Sequence, residues 1–159
     1  EARQVHNIPP LFDAESRILV LGSFPSVKSR EAEFFYGHPQ NRFWKVLAVL
    51  FKSPLPESIP DKKRFLAQNR IALWDVIASC DITGSSDASI RNVVPNDLSI
   101  ILDTSPIEKI FTNGNKSYEL YMKYICPQPG IKPVKLPSTS PANAAWTFEK
   151  LLEAWRVIL

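Results

Sequence analysis

Four short apolar runs limit this chain more than anything else in it. Ile18-Leu19-Val20-Leu21 stops at Gly22. The run Ile71 to Ile77 carries an acid, Asp75. Lys109-Ile110-Phe111-Thr112 stops at Asn113-Gly114-Asn115. Lys132 to Pro137 enters Ser138-Thr139-Ser140-Pro141. Apolar runs without alternation belong to strands buried on both faces. The segments between them carry helical signals. Phe43, Val46, Leu47, Leu50 and Phe51 follow helical spacing, and Pro60 can open a helix over Asp61 to Gln68. Asn96 can cap a helix through Asp103 that ends near Ser105-Pro106, and Ser117 to Tyr124 reads as helical. Asn143 can cap a last helix that turns Trp146, Leu151, Leu152 and Trp155 toward the core. Parallel strands need such crossovers. The expectation is an α/β fold, a three-layer α/β/α sandwich around a central four-stranded, mainly parallel sheet.

The remaining segments read as connections. Residues 1–15 form a polar arm with Pro9-Pro10, anchored by Leu11 and Phe12. Ser26 to Glu33 is polar and exposed. Lys52 to Pro60 holds three prolines and is a loop, as are Ser79 to Asn92 and Pro127 to Pro133. The length of 159 residues predicts a single domain, 1–159, and 45% hydrophobic residues supply a core. A net charge of +3 suits a protein that touches a few phosphates and not one that coats nucleic acid. Two cysteines, Cys80 and Cys126, are too few for a four-thiolate metal site. They read as structural thiols in a reduced, cytoplasmic setting. No signal peptide or membrane-spanning run is expected.

The strand ends near Gly22, Asp75, Asn113 and Pro137 share one edge, where open α/β sheets bind ligands. Next to it in sequence lies Tyr36-Gly37-His38-Pro39-Gln40-Asn41-Arg42-Phe43-Trp44. Phe35 and Tyr36 offer flat apolar faces; His38, Gln40 and Asn41 offer directional hydrogen bonds. A planar heterocycle needs both. Asn41 can equally cap the following helix, and His38 can simply fix the loop. Asp75, inside an apolar strand, needs a partner or a task, because an unpaired buried carboxylate is costly. The chain lacks GxGxxG, GxxxxGK[ST] and GxSxG, and two histidines make a poor metal pair.

These residues resemble the uracil-DNA glycosylase superfamily over about Ile18 to Trp155. His38-Pro39-Gln40-Asn41-Arg42-Phe43-Trp44-Lys45-Val46 resembles the stretch after the first motif of its mismatch-specific members. Gly22-Ser23-Phe24-Pro25-Ser26 stands where that motif has Gly-x-Asn/Asp-Pro. Leu136-Pro137-Ser138-Thr139-Ser140-Pro141-Ala142 resembles the second motif. Phe24 replaces the usual catalytic Asn or Asp, and the whole combination looks like the hypoxanthine (deoxyinosine) DNA glycosylase branch. The resemblance implies Asn41 and Asn113 as catalytic residues. It implies Phe24, Tyr36, His38 and Asp75 around the base. Ser23, Ser26, Ser138, Thr139, Ser140, Pro141 and Ala142 would meet the DNA backbone or wedge into the duplex.

The implied activity is monofunctional, hydrolytic removal of deaminated bases, chiefly hypoxanthine, from DNA. The protein would act as a monomer, with no metal, organic cofactor or membrane. The nucleotide would be flipped out. The base would stack on Tyr36, Asp75 would accept from N1–H, and Asn41 would orient the attacking water. Two rivals are a module that binds damaged or single-stranded bases without cutting, and a uracil- or mismatch-type glycosylase. A small-molecule nucleobase binder fits the fold but leaves the Pro-Ser-Thr-Ser-Pro loop without a purpose.

Overall fold

The computed structural model describes residues 2–125 and 131–159. In chain order the strands and helices are β1 (Ala2–Val5), β2 (Ile18–Gly22), α1 (Val27–Ala32), α2 (Phe43–Leu50), α3 (Ile59–Gln68), β3 (Ile71–Asp75), β4 (Ile77–Ile82), β5 (Arg91–Pro95), α4 (Ser99–Leu102), β6 (Lys109–Asn113), α5 (Asn115–Tyr124), β7 (Pro133–Leu136) and α6 (Phe148–Trp155).

The four apolar runs form the expected sheet. Its order is β3-β2-β6-β7, and every pairing is parallel. Successive residues of each strand face opposite layers. Val20, Leu73 and Phe111 pack with Phe43, Leu47, Phe65, Leu151 and Trp155 from α2, α3 and α6. Leu19, Leu21, Ala72 and Ile110 face the other way and pack with Ile101 and Tyr121 from α4 and α5 and with Ile77 and Cys80 from β4. Both sheet faces are therefore covered over β2, β3 and β6, which is why these strands carry no polar alternation, whereas the edge strand β7 is half exposed. In register, Gly22 lies opposite Asp75 and Asn113 opposite Leu136. The strand ends thus meet along one edge.

Several connections are more ordered than the sequence suggests. The arm is a strand: β1 pairs antiparallel with β4, and β4 with β5, as a second, three-stranded sheet. Leu11 bridges to Leu73, so the expected anchor holds. The single strand expected over Ile71 to Ile77 breaks after Asp75, and the chain crosses into the small sheet at Ile77. The loop expected over Ser79 to Asn92 is strand through Ile82 and again from Arg91. Ser26 to Glu33 contains α1, capped by the Ser26 hydroxyl, which accepts from Ser29 N. Glu33 ends that helix at a φ of 55°. Asn96 caps nothing; its amide donates to the carbonyls of Asp75 and Ile77 and holds the crossing between the two sheets. Asn143 donates to Ser138 O, and Thr147 caps α6 instead. Trp146, expected in the core, is 36% exposed. Cys80 is buried and free; burial, its largest influence, raises its thiol pKa. Cys126 and the start of the expected loop from Pro127 lie outside the described residues. No helix among the described residues is long and apolar enough to cross a membrane.

Candidate active site

At the C-terminal edge of the parallel sheet lies a cavity of about 300 Å³, the size class of small-ligand sites. Phe24, Tyr36, Asn41, Asp75 and Asn113 all line it, together with Ser23, Ser26, Ser138, Thr139, Ser140 and Ala142. His38 and Pro141 do not. His38 accepts from Gln40 N through Nδ1, so it stiffens the 36–42 loop and does not contact the cavity.

The cavity floor is built by close approach. Asp75 is 3% exposed and sits beside Gly22, where an added Cβ would collide with its Oδ1 and come within 3.3 Å of the Tyr36 hydroxyl. Glycine is required there. The carboxylate has the partner its burial demands. His6 Nε2 lies 2.7 Å from Asp75 Oδ2, and His6 Nδ1 accepts from Ile8 N at 3.2 Å. A ring nitrogen that accepts a backbone N–H carries no proton, so Nε2 is the donor to Asp75. His6 comes from the segment read as an arm, with no apolar pattern to place it. The strand just before it, β1, and the bond from His6 N to Ala78 O at 2.8 Å set it against Asp75.

Tyr36 adopts a φ of 52°, an uncommon conformation for a tyrosine that the surrounding packing holds. One ring face lies on Phe43, with centroids 4.1 Å apart and planes 23° off parallel. Its hydroxyl is buried without a hydrogen bond of normal geometry. Burial, reinforced by the Asp75 charge and opposed by the Asn113 amide, holds its ionisation far above the ordinary phenol value. The group stays a neutral donor. Phe24 is covered on one side by Arg30, whose guanidinium carbon lies 5.4 Å from the ring centroid.

The two asparagines are joined by Thr139, which the resemblance set among the DNA-contacting residues and which is fully buried here. Asn113 Nδ2 donates to Thr139 Oγ1, and Thr139 N donates back to Asn113 Oδ1, each at 3.0 Å. Thr139 Oγ1 then donates to Asn41 Oδ1 at 2.8 Å. Asn41 Oδ1 also accepts from Phe43 N at 2.9 Å. Although the cap position is Arg42, which makes no side-chain cap bond, Asn41 therefore braces the first residue of α2 from the cavity wall. Its carbonyl oxygen holds two donors, and Nδ2 is its uncommitted polar atom.

Arg42 fixes the second-motif loop to the same frame. Its backbone N donates to Thr139 O at 3.1 Å, and its guanidinium donates to the carbonyls of Ser140, Asn143 and Trp146. The sequence offered no sign of this beyond a charged residue at a helix start. Trp155 Nε1 donates to Pro137 O from below. Ser26 is occupied as the α1 cap, and Ser23 donates to Asp87 at 3.1 Å. Among the described residues no group of three or more His, Cys, Asp or Glu side chains is placed to hold a metal ion.

With this geometry in place, comparison with known proteins is informative. A family model described as the uracil DNA glycosylase superfamily matches residues 9–159. The chain belongs to that superfamily. A curated protein of Methanosarcina barkeri named hypoxanthine DNA glycosylase is 37% identical over 114 residues, 70% of this chain and 72% of that one. Its namesake from Methanosarcina acetivorans is 32% identical over 154 residues, 94% of each chain. A solution NMR structure of a candidate uracil DNA glycosylase from Methanosarcina acetivorans superposes with a TM-score of 0.77 at 29% identity, covering 96% of this chain and 97% of that one. The superfamily fold is thus matched over nearly the whole length.

Proposed function

We propose that this protein is a monofunctional DNA glycosylase that flips deaminated bases, chiefly hypoxanthine, out of DNA and hydrolyses the glycosidic bond, leaving an abasic site. The observation that carries this reading is the convergence of Tyr36, Asp75, Asn41 and Asn113 on one cavity at the sheet edge. Kinship to proteins named hypoxanthine DNA glycosylase supports the choice of base.

Hypoxanthine presents N1–H and O6 where adenine presents a bare N1 and an amino group. Asp75, held by His6, accepts from N1–H and is left facing a lone pair when adenine enters. A site that leaves a buried polar group unpaired discriminates strongly. The neutral Tyr36 hydroxyl, unpartnered in the wall, lies beside Gly22 as Asp75 does and is a free donor for the base. Bond breaking places negative charge on the departing purine. The Asn41 amide serves that charge as a fixed donor, because its oxygen is already filled. This revises the orienting role that the sequence suggested for Asn41. Asn113, tied through Thr139, holds Asn41 at its angle and adds a second amide. The loop from Ser138 to Ala142, braced by Arg42, meets the DNA backbone with hydroxyls and amides.

The replacement of the usual first-motif amide by Phe24 favours one competing reading, a module that binds without cutting. Duplexes carrying a single inosine or uracil, treated with alkali after incubation, separate the possibilities. Strand scission at inosine, weaker scission at uracil, and loss of scission in a folded Asn41→Ala variant are expected. Tight inosine binding without scission supports the module. Normal cutting by Asn41→Ala overturns the catalytic assignment.

A further inference from the structure

The attacking water needs an acceptor for its proton, and the asparagines do not supply one. Asn41 Oδ1 is filled by Phe43 N and Thr139 Oγ1, Asn113 Oδ1 accepts from Thr139 N, and amide oxygens are very weak bases. Of the described side chains lining the cavity, only Asp75 and Asp87 are carboxylates, and none is a histidine. Asp75 sits at the floor, bound to His6. Asp87 belongs both to the cavity and to the neighbouring groove lined by Lys116, Lys135 and Trp146, which places it at the mouth. A flipped nucleotide enters base first, so its sugar lies at the mouth and its base edge at the floor.

We propose that Asp87 is the proton acceptor for the water that attacks the sugar carbon. The proposal rests on the hydrolase reading above. Ser23 donates to Asp87 Oδ1 at 3.1 Å, which aims the carboxylate and leaves Oδ2 for water. Ser23 adjoins Phe24, the position where the superfamily resemblance lacks its usual polar group, so Asp87 brings a carboxylate to the neighbourhood that Phe24 leaves without one. Its loop is tied down: Arg30 donates to Gly84 O at 2.7 Å and Val27 N to Ser85 Oγ at 2.9 Å. A carboxylate at a mouth that receives phosphates works against binding, which calls for a compensating task. In the step, the water oxygen bonds to C1′ as the C1′–N9 bond breaks and its electron pair leaves on the purine. The water proton passes to Asp87 and then to solvent, and the purine is reprotonated from solvent.

The groups that act on Asp87 predict a pH signature. Desolvation at the mouth raises its pKa first, the Ser23 bond and the Lys116 charge lower it, and Asp75 raises it; the net displacement is upward. The acceptor is lost as pH falls through that raised value. In single-turnover excision of inosine with enzyme in excess, the wild-type rate falls on the acid side, at a pH displaced upward from that of an ordinary aspartate. Asp87→Asn keeps an acceptor for Ser23, melts like wild type and binds the inosine duplex at least as tightly. Its rate is lower by about 100-fold or more, the scale of a lost general base, and its acid limb is gone. Ser23→Ala removes a bond that lowers the pKa, so its acid limb shifts to higher pH. A wild-type rate in Asp87→Asn, with or without tighter binding, overturns the proposal and leaves the glycosylase reading standing. So does an acid limb that Ser23→Ala leaves in place. Absence of scission by the wild-type protein removes both.

Discussion

Thr139 shows how much one side chain can hold in this site. Its hydroxyl and amide make three bonds to Asn41 and Asn113, and it has no exposure to solvent. Thr139→Val preserves the shape but removes the hydroxyl, leaving an amide donor and an amide acceptor short of a partner. The expected cost is about 1–3 kcal/mol for the stranded groups, read as a lower midpoint in denaturant unfolding. The single-turnover excision rate should also fall, because Asn41 loses its bearing, while duplex affinity changes little. Thr139→Ser restores the hydroxyl and should recover most of the rate. If Val and Ser behave alike, the bridge does not position the asparagines. Asn41, Asn113 and the Pro-Ser loop were legible in the sequence because they follow strand ends or match a motif. Thr139 was assigned to the DNA surface, because a motif gives the order of residues and not which of them points inward. His38 lies off the cavity lining for the same reason: loop direction is set by Tyr36 at positive φ and by the Ser29 hydroxyl, which accepts from Gly37 N.

The elements divide by how they are buried. Strands β2, β3 and β6 were legible as runs, and α2, α3 and α5 as helical stretches, because their faces are buried almost uniformly or along one stripe; the edge strand β7, half exposed, was legible from the motif that follows it. The small sheet was not. In β4, Ile77, Cys80 and Ile82 are buried while Ala78, Ser79 and Asp81 are only partly so, and its pairing with β5 slips register twice. Bulges destroy the period-two signal that a strand reading depends on. The strand β1, Ala2 to Val5, has no apolar pattern; Arg3 reaches Asn92 O and Ser79 Oγ across the sheet to hold it. Its function follows from what it carries. His6→Ala removes the donor to a buried carboxylate, at an expected cost of about 2–3 kcal/mol, the scale of a hydrogen bond to a charged group. Asp75→Asn keeps an acceptor for His6 Nε2 and should remain close to wild type in stability. It should lose selectivity, cutting inosine more slowly and tolerating adenine better in competition binding. A stable Asp75→Asn variant that still excludes adenine would place base discrimination elsewhere.

On the scale of the whole molecule, charge and shape favour a light grip on DNA. The net charge is +3, and the second-motif loop, which under the proposed function meets the duplex, offers Ser138, Ser140 and backbone amides and not a basic cluster. The lysines nearest the mouth, Lys116 and Lys135, line the adjoining groove. A protein that neutralises few phosphates releases few counterions, so affinity for undamaged duplex should fall only gently with salt, with a log–log slope of about −2 to −4. Lys135 rests over the Tyr118 ring, 5.5 Å from its centroid, and takes no part in the core. Lys135→Ala should therefore fold normally and reduce that slope by about 1, with the saturated single-turnover rate unchanged. A steep slope, or one that Lys135→Ala leaves untouched, would mean that the phosphates run over another face. A light electrostatic grip also fits the geometry of the sheet edge. Under the proposed function selectivity then resides in the cavity, where Asp75, the neutral Tyr36 hydroxyl and the asparagine pair would act on a single extruded base. Weak backbone attraction lets the protein leave undamaged sites, and only a base that satisfies the floor holds it long enough for the bond to break.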